Sequence, residues 1–292
     1  MISAPGLYVD MDADTYFKDP CITPSLNQSG IPALIERSPY HFAYANPRLN
    51  PYGQAEDGDR ARWLGAAVHR LALGRGREIA TIRYKDYRDS SARRDRDLAV
   101  ANGRIPVLEA EYVRAHDMAK ILRAQIDEAC EGHDYLTEVV VIWVEETVFG
   151  PIYCRAMLDV LCIPMALVLD PKALRIPAVA GAFGRTAAES GYDVQARFYP
   201  RGVEAVIPEL AGRVRFANLV VENFPPHGAA MFEPDAEAKA AADFQITLGI
   251  NRFAECLYSR AWPSYPRRVQ RYSIPPWRQQ QLMAREFSQE NT

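Results

Sequence analysis

Residues 153–174 read YCRAMLDVLCIPMALVLDPKAL. Two runs rich in aliphatic and β-branched residues flank Pro164–Met165, so the stretch is predicted to form an antiparallel hairpin around that two-residue turn. Position numbers of facing residues then add up to 329, which sets Asp159 directly opposite Asp170. The two-residue period of a strand places Lys172 on the same side as Asp170.

This arrangement brings two carboxylates and one lysine to a single point. Facing Cβ atoms lie about 4.5–5.5 Å apart, which lets both carboxylates hold one hard cation at metal–oxygen distances of about 2.1 Å. The apolar run before Asp170 predicts burial, and a buried carboxylate needs a partner or a metal. Two interpretations stay open here: a metal-dependent catalytic centre, or an ion pair of Asp170 with Lys172 at the end of a strand.

The regions around the hairpin alternate between helical and strand patterns. Helices are predicted at residues 25–38, 61–73, 108–126, 191–199 and 234–260. Strands are predicted at 137–146 and 214–223, and the first of them completes a three-stranded antiparallel meander with the hairpin. The predicted fold class is therefore α/β or α+β, with a central mixed sheet that contains the hairpin and is flanked by helices.

Composition indicates an ordinary globular protein. Of the 292 residues, 48% are hydrophobic and 24% charged, enough apolar material for a sizeable core. No apolar run is long enough to span a bilayer and the first residues do not resemble a signal peptide, so a cytosolic location is expected. The five cysteines are scattered without a C-x-x-C pair, which favours buried free thiols over disulfides or a zinc site.

The charge is unevenly distributed. The formal net charge is −3, but residues 60–104 carry twelve Arg or Lys against five Asp or Glu. A local excess of this kind can neutralise phosphates in a protein that is acidic overall. A solvated helical surface with internal salt bridges explains the same pattern, so charge alone does not decide between the two.

Two further positions bear on function. His69 lies in an otherwise apolar helical segment, where it either packs as a core residue or supplies one neutral imidazole to a metal beside the two carboxylates. Gln195 and Tyr199 stand four residues apart on one helical face, with Tyr192 one turn earlier. A polar and aromatic stripe of this kind is usually packing, and it gains meaning only together with the other motifs.

Taken in order, the segments resemble the exonuclease VIII family of phages and prophages (RecE type), a branch of the PD-(D/E)XK nucleases related to the RecB nuclease domain. The resemblance covers most of the chain. It rests on SPYHFAYANP (38–47), WLGAAVHRLALGRG (63–76), TEVVVIW (137–143), YCRAMLDVL (153–161), LVLDPK (167–172), GYDVQARFY (191–199) and WPSYPRRVQRYSIPPW (262–277). It implies a restriction-endonuclease-like core.

The resemblance also implies roles for individual residues. His69, Asp159, Asp170 and the carbonyl of Pro171 would bind a divalent metal, Mg²⁺ or Mn²⁺. Lys172 would orient or help deprotonate the attacking water, which makes Asp159, Asp170 and Lys172 the catalytic set.

Substrate contacts would come from Gln195, Tyr199, Tyr192 and Arg155. Glu138, in the first-strand position of the family, would support the site or a second metal.

One nuclease domain over 1–292 is expected on the same basis. It would comprise an N-terminal helical extension (1–58), a catalytic core (59–222) and a C-terminal helical elaboration at the DNA end (223–292).

The sequence departs from the family pattern beside the acidic residue. The family usually has Asp, an aliphatic residue, Lys and two threonines, whereas this chain has Asp170-Pro171-Lys172-Ala173-Leu174. Proline normally favours a sheet edge or a bulge because it cannot donate a ladder hydrogen bond. Weakened catalysis or a displaced Lys172 would follow if the strand were distorted there. Met157 stands where the family tends to have a second basic residue.

The leading expectation is an exonuclease that degrades one strand of linear double-stranded DNA and leaves single-stranded tails for a RecT-like annealing protein. The resemblance favours a ring-shaped homo-oligomer, and no membrane partner is expected. Two alternatives remain. One is a catalytically silent protein that binds DNA ends or a recombination partner, and the other is a different nuclease of the superfamily.

Overall fold

The computed structural model describes residues 1–52 and 60–289, with eight strands and ten α-helices in these ranges. The strands are β1 (Gly6–Tyr8), β2 (Ile79–Ile82), β3 (Ile105–Leu108), β4 (Leu136–Glu145), β5 (Ile152–Cys162), β6 (Leu167–Leu174), β7 (Arg215–Glu222) and β8 (Ala229–Phe232). The helices are α1 (Ala13–Phe17), α2 (Gly30–Pro32), α3 (Pro39–Ala45), α4 (Arg60–Leu73), α5 (Ser90–Ala101), α6 (Glu109–Ala129), α7 (Ala180–Ser190), α8 (Tyr192–Val206), α9 (Ala236–Ser259) and α10 (Pro276–Gln289). A π-helical turn (Ala33–Arg37) continues α2. A 3-10 turn (Pro208–Leu210) follows α8.

Six strands form the central sheet in the order β1-β4-β5-β6-β7-β8. All neighbours are antiparallel except β6 and β7, whose parallel pairing requires the long crossover through α7 and α8. Strands β2 and β3 form a separate parallel pair. The predicted fold class, a mixed sheet with an antiparallel hairpin and flanking helices, is confirmed.

Helices cover both faces of the sheet. On one face α8 and α9 pack against β4 and β5 around Trp143, Phe198 and Phe253, which are fully buried. On the other face α4 and α6 pack against β6 and β7, with Leu122 and Leu219 in that core. The five cysteines are free and buried, as predicted. No helix in the described ranges combines the length and apolarity needed to cross a membrane.

The predicted register of the hairpin is confirmed where the two strands pair. Val160 faces Leu169 and Cys162 faces Leu167. The turn is closed by a 3.0 Å hydrogen bond from the Ala166 amide to the Ile163 carbonyl, with the predicted turn residues between them. Pairing ends at Val160–Leu169, so the next two residues, Asp159 and Asp170, lie where β5 and β6 begin to diverge.

The prediction of a helix over 25–38 is wrong for its first residues. Residues around Leu26 are extended, and helical structure begins at Gly30. Leu26 donates to the Tyr153 carbonyl and accepts from the Arg155 amide, both at 2.9 Å, so it pairs with β5 where β6 has moved away. The backbone groups of β5 that β6 leaves unpaired need partners here, and this requirement outweighs the local preference of residues 25–29 for a helix.

The other predicted elements are present with small shifts at their ends. Helix α8 continues to Val206, through Pro200. The predicted boundary at residues 58 and 59 lies outside the described residues. The one at 222 and 223 coincides with the end of β7, after which β8 joins the same sheet. The division of the domain into three parts stays a prediction.

Packing of α8 on the sheet depends on Gly202. A Cβ atom at this position would lie 2.6 Å from the ring of Trp143, closer than real contacts allow. Overpacking costs about 1–3 kcal/mol, and the higher helix propensity of alanine offsets about 1 of this. We therefore expect Gly202→Ala to lower the free energy of unfolding by up to about 2 kcal/mol. Urea unfolding measures the change.

Gly184→Ala is the matched control, because a Cβ on this helical glycine meets no atom within 4 Å. It should leave stability unchanged or raise it by up to about 1 kcal/mol. Equal effects of the two substitutions would contradict close packing of α8 against Trp143.

Candidate active site

The predicted acidic residues meet at the point where β5 and β6 separate. Asp159 contacts His69 of α4, which covers one face of the sheet. Asp170 contacts Gln195 of α8, which covers the other face. The site therefore lies inside the sheet between the two helical layers, and both layers contribute side chains to it.

A change in side-chain alternation accompanies this opening. In β5, Leu158 and Leu161 face the core under α8 and α9, whereas Val160 and Cys162 face the core under α4 and α6. Strict alternation would put Leu158 and Val160 on the same face, so the period breaks at Asp159. The facing residue of β4, Glu138, has a positive φ of 50°. Both strands are thus distorted at the residues that carry the carboxylates.

Asp170 is held by three donors. Its carboxylate accepts a 2.5 Å hydrogen bond from Gln195 Nε2 and a 3.2 Å bond from Asn218 Nδ2, and it contacts the ammonium group of Lys172. The residue is only 1% exposed, so these groups replace water. Asn218 was not predicted from the sequence. The available signal was one amide residue inside the apolar strand β7.

Burial raises the pKa of Asp170 to about 6, and the nearby Asp159 carboxylate adds to the rise, although Lys172 opposes it. Lys172 itself has a raised pKa, because its attraction to Asp170 and Asp159 outweighs the effect of burial. The ammonium group also lies 4.8 Å from the centre of the Tyr192 ring, a cation–π contact. Pro171 therefore does not displace Lys172 from the acids.

His69 bridges two carboxylates. Its Nε2 lies 3.0 Å from Asp159 Oδ1 and its Nδ1 lies 3.4 Å from Glu138 Oε1. Burial lowers the pKa of His69, but Asp159 and Glu138 more than offset this and the net shift is upward. Burial raises the pKa of Glu138, with a further contribution from Asp159. The His69 imidazole is therefore in contact with two carboxylates and does not pack as a purely apolar core residue.

The structure brings some of the predicted substrate-contact residues to the site and leaves one of them elsewhere. Tyr192 reaches the site through Lys172, and Tyr199 lies next to Gln195 with 9% exposure, its ring edge-on to Phe216. Gln195 is 6% exposed and bonded to Asp170, so in this structure it positions an acid.

Arg155 is not brought to the site. It is 3% exposed, donates to the carbonyl and hydroxyl of Ser25 at 2.9 and 2.6 Å, and lies 3.4 Å from Asp19. Its guanidinium also lies over the Tyr16 ring. The N-terminal segment covers this part of β5, and the predicted contact of Arg155 with a DNA backbone does not agree with its burial.

Pro171 lies in the central strand β6, aligned with Leu219 of the parallel neighbour β7. The presence of proline favoured a sheet edge or a bulge, but β6 is not an edge strand. Because pairing with β5 has already ended at Leu169, the proline lies beyond the last residue that pairs with β5. Its missing N–H therefore removes no bond from the β5–β6 ladder.

The donor set suits a hard divalent cation. Three carboxylates (Glu138, Asp159 and Asp170) surround one lysine and one imidazole, so ionisation of all three leaves excess negative charge. Oxygen donors with a single histidine are ligands that Mg²⁺ and Mn²⁺ accept. Within 1–52 and 60–289 no three His, Cys, Asp or Glu side chains already surround a common point at metal-binding spacing. The acids are held instead by the hydrogen bonds described above.

In the described ranges, five of the twelve cations in the basic region predicted at 60–104 are paired with carboxylates. Ion pairs join Arg70 to Glu78, Arg77 to Asp14, Arg88 to Asp86, Arg94 to Asp95 and Arg96 to Asp97. Exposed pairs of this kind are common on solvated surfaces and contribute little to stability. The structure therefore favours the salt-bridged interpretation for these five arginines.

Comparison with known proteins identifies a fold neighbour. No protein-family model and no curated protein matches the sequence. A crystal structure from Eubacterium rectale, described as a "putative exonuclease", has a TM-score of 0.57 and 14% sequence identity, over 92% of this chain and 97% of that chain. A second structure, described as SSO0001, has a TM-score of 0.26 and 14% identity over 65% of this chain and 87% of that one. The first shows a shared fold, and the second carries no argument.

The raised pKa of Asp170 predicts a pH dependence of stability. Between the ordinary aspartate pKa of 3.8 and about 6, the folded state keeps a proton that the unfolded chain has released, so stability falls as pH rises through this interval. In EDTA the wild type should lose about 1–3 kcal/mol relative to Asp170→Asn between pH 4 and pH 7. Urea unfolding at both pH values measures this. Parallel pH profiles for the two proteins would contradict the assignment.

Proposed function

We propose that the protein is a metal-dependent deoxyribonuclease of the PD-(D/E)XK type. The observation that carries the proposal is the contact of Asp170 with Lys172, next to Asp159, at the point where β5 and β6 diverge. The same pattern of acid, acid and lysine underlies the sequence resemblance. The fold neighbour, whose description names an exonuclease, supports it independently of that pattern.

The roles of the residues follow from their chemistry. Asp159 and Asp170 would hold the metal together with His69, and the Pro171 carbonyl is a further proposed ligand. Bound Mg²⁺ or Mn²⁺ would supply an acidified water and neutralise charge on the phosphate. Glu138 would keep His69 oriented from its other ring nitrogen.

Lys172 would act on the nucleophile and on the phosphate. Its ammonium group carries a fixed positive charge at the acids, where negative charge grows as water attacks phosphorus. Tyr192 limits its movement by lying against it, and Asp170 holds it from the other side. Gln195 and Asn218 keep the Asp170 carboxylate fixed while this occurs.

The finer activity is proposed from the resemblance. We propose that the enzyme degrades one strand of linear double-stranded DNA from an end and leaves single-stranded tails for recombination. A RecT-like annealing protein would then use the tails, and a ring-shaped homo-oligomer would hold the duplex. The alternative of a silent end-binding protein rests on Pro171 and on the absence of the two threonines after Lys172.

Cleavage of linear and closed circular duplex DNA tests the proposal. In Mg²⁺ the wild type should release nucleotides from the linear form only, and EDTA should abolish the activity. Lys172→Ala should reduce the rate by at least about 100-fold, because it removes a charge that acts on the transition state.

Lys120→Ala, on the exposed side of α6, is the control and should retain the wild-type rate. DNA binding without cleavage in either Mg²⁺ or Mn²⁺ would overturn the proposal in favour of the silent end-binding protein. Discrete fragments from circular DNA would instead indicate an endonuclease of the same superfamily.

Metal binding should be visible without catalysis. At a free Mg²⁺ concentration about 100 times the dissociation constant, binding stabilises the folded state by about 2.7 kcal/mol, or a melting shift of about 5 °C. Asp159→Asn should abolish the shift because it removes one of the charged ligands. Asp117→Asn, exposed on α6, is the control. An unchanged shift in Asp159→Asn would show that Mg²⁺ binds elsewhere.

A further inference from the structure

The C-terminal arm, defined as residues 261–283, carries positive charge only. It contains four arginines, four aromatic residues and no aspartate or glutamate. Arg267, Arg268 and Arg271 are exposed. The ion pairs found in the described ranges include none of these three. They contrast with five arginines of 60–104 that have carboxylate partners, namely Arg70, Arg77, Arg88, Arg94 and Arg96.

Three of the four aromatic rings of the arm face solvent. Tyr265, Tyr272 and Trp277 are 53%, 89% and 65% exposed. Rings of this size are normally buried for their apolar area. Their exposure beside arginines that have no ion pair within 1–52 and 60–289 calls for a ligand that has both flat surfaces and negative charge.

The root of the arm is fixed to the body of the protein. Trp262 stacks on Phe42 at 5.5 Å between ring centres and contacts Phe253 at 5.9 Å. The Tyr40 amide donates to the Pro263 carbonyl at 3.1 Å. From there to Pro275 the chain has no regular secondary structure, and prolines at 263, 266, 275 and 276 disfavour helix and sheet within this stretch.

We propose that this arm binds single-stranded DNA. Arginine guanidinium groups match phosphate geometry, and exposed aromatic rings stack on bases, the combination found in single-strand binding surfaces. Duplex DNA offers phosphates but hides the faces of its bases, so the exposed rings favour a single strand. The choice of DNA as the polyanion rests on the proposed nuclease function, in which the uncut strand becomes single-stranded.

The binding test uses the full chain in EDTA, which separates binding from cleavage. The probe is a labelled single strand of about 20 nucleotides, longer than the usual site size, with its duplex for comparison. Replacing Arg267, Arg268 and Arg271 by alanine should reduce the slope of log affinity against log salt concentration by about 2, at about 0.7 per phosphate contact. Tyr272→Ala with Trp277→Ala should weaken single-strand binding about ten-fold or more, with the slope unchanged.

Arg88, Arg94 and Arg96 replaced by alanine form the matched control, because they remove the same charge from residues that already have carboxylate partners. This variant should keep the wild-type slope. Melting temperatures should stay at the wild-type value in the arm variants, since the replaced side chains are exposed.

Wild-type affinity and slope in both arm variants would overturn the proposal. So would a loss of binding to anionic lipid vesicles with DNA binding intact, which would assign the arm to a membrane surface. Failure of the nuclease proposal would be recognised separately, as an absence of cleavage in Mg²⁺ by a protein whose arm still binds the single strand in EDTA.

Discussion

The candidate site depends on one constraint, the complete burial of the Asp170 carboxylate. A buried carboxylate is stable in its charged form only if hydrogen-bond donors or cations replace the lost water. The fold supplies three such groups: Lys172 from the same strand, Asn218 from the neighbouring strand β7 and Gln195 from helix α8. Burial and the repulsion from Asp159 nevertheless hold the pKa of Asp170 above its ordinary value. Additional positive charge at the site would therefore stabilise the ionised form of this carboxylate.

Divergence of β5 and β6 makes this arrangement compatible with a sheet. Continuous pairing would fill the space between Asp159 and Asp170 with backbone hydrogen bonds and would leave Pro171 with a lost ladder bond. Separation after Leu169 removes both conflicts, and Leu26 satisfies the exposed edge of β5. The positive φ of Glu138 and the broken alternation at Asp159 are the local consequences of the same opening.

Sequence reasoning predicted the hairpin well because a two-residue turn fixes the register of every pair beyond it. It therefore located Asp159, Asp170 and Lys172, and the resemblance added His69 and Gln195. It failed for Arg155 because strand alternation tells which face a residue occupies and not what covers that face, here the segment around Ser25. Asn218 was missed because its strand meets β6 only through tertiary structure, and no local pattern links it to Asp170.

Electrostatics connects the site to the rest of the molecule. For the nuclease proposed above, a net charge of −3 and an acidic centre would repel a DNA backbone unless positive charge is available along the path of the DNA. Arginines already paired with carboxylates contribute little to such attraction, because a phosphate must displace a partner to reach them. Residues 60–104 keep further cations, such as Arg83 and Arg104, outside the ion pairs found in the described ranges, so charge alone does not single out the arm. The arm differs because exposed aromatic rings lie beside arginines that have no carboxylate partner among the described residues. The sequence shows how many cations a segment carries, whereas only the structure shows which of them are paired and which lie beside exposed rings.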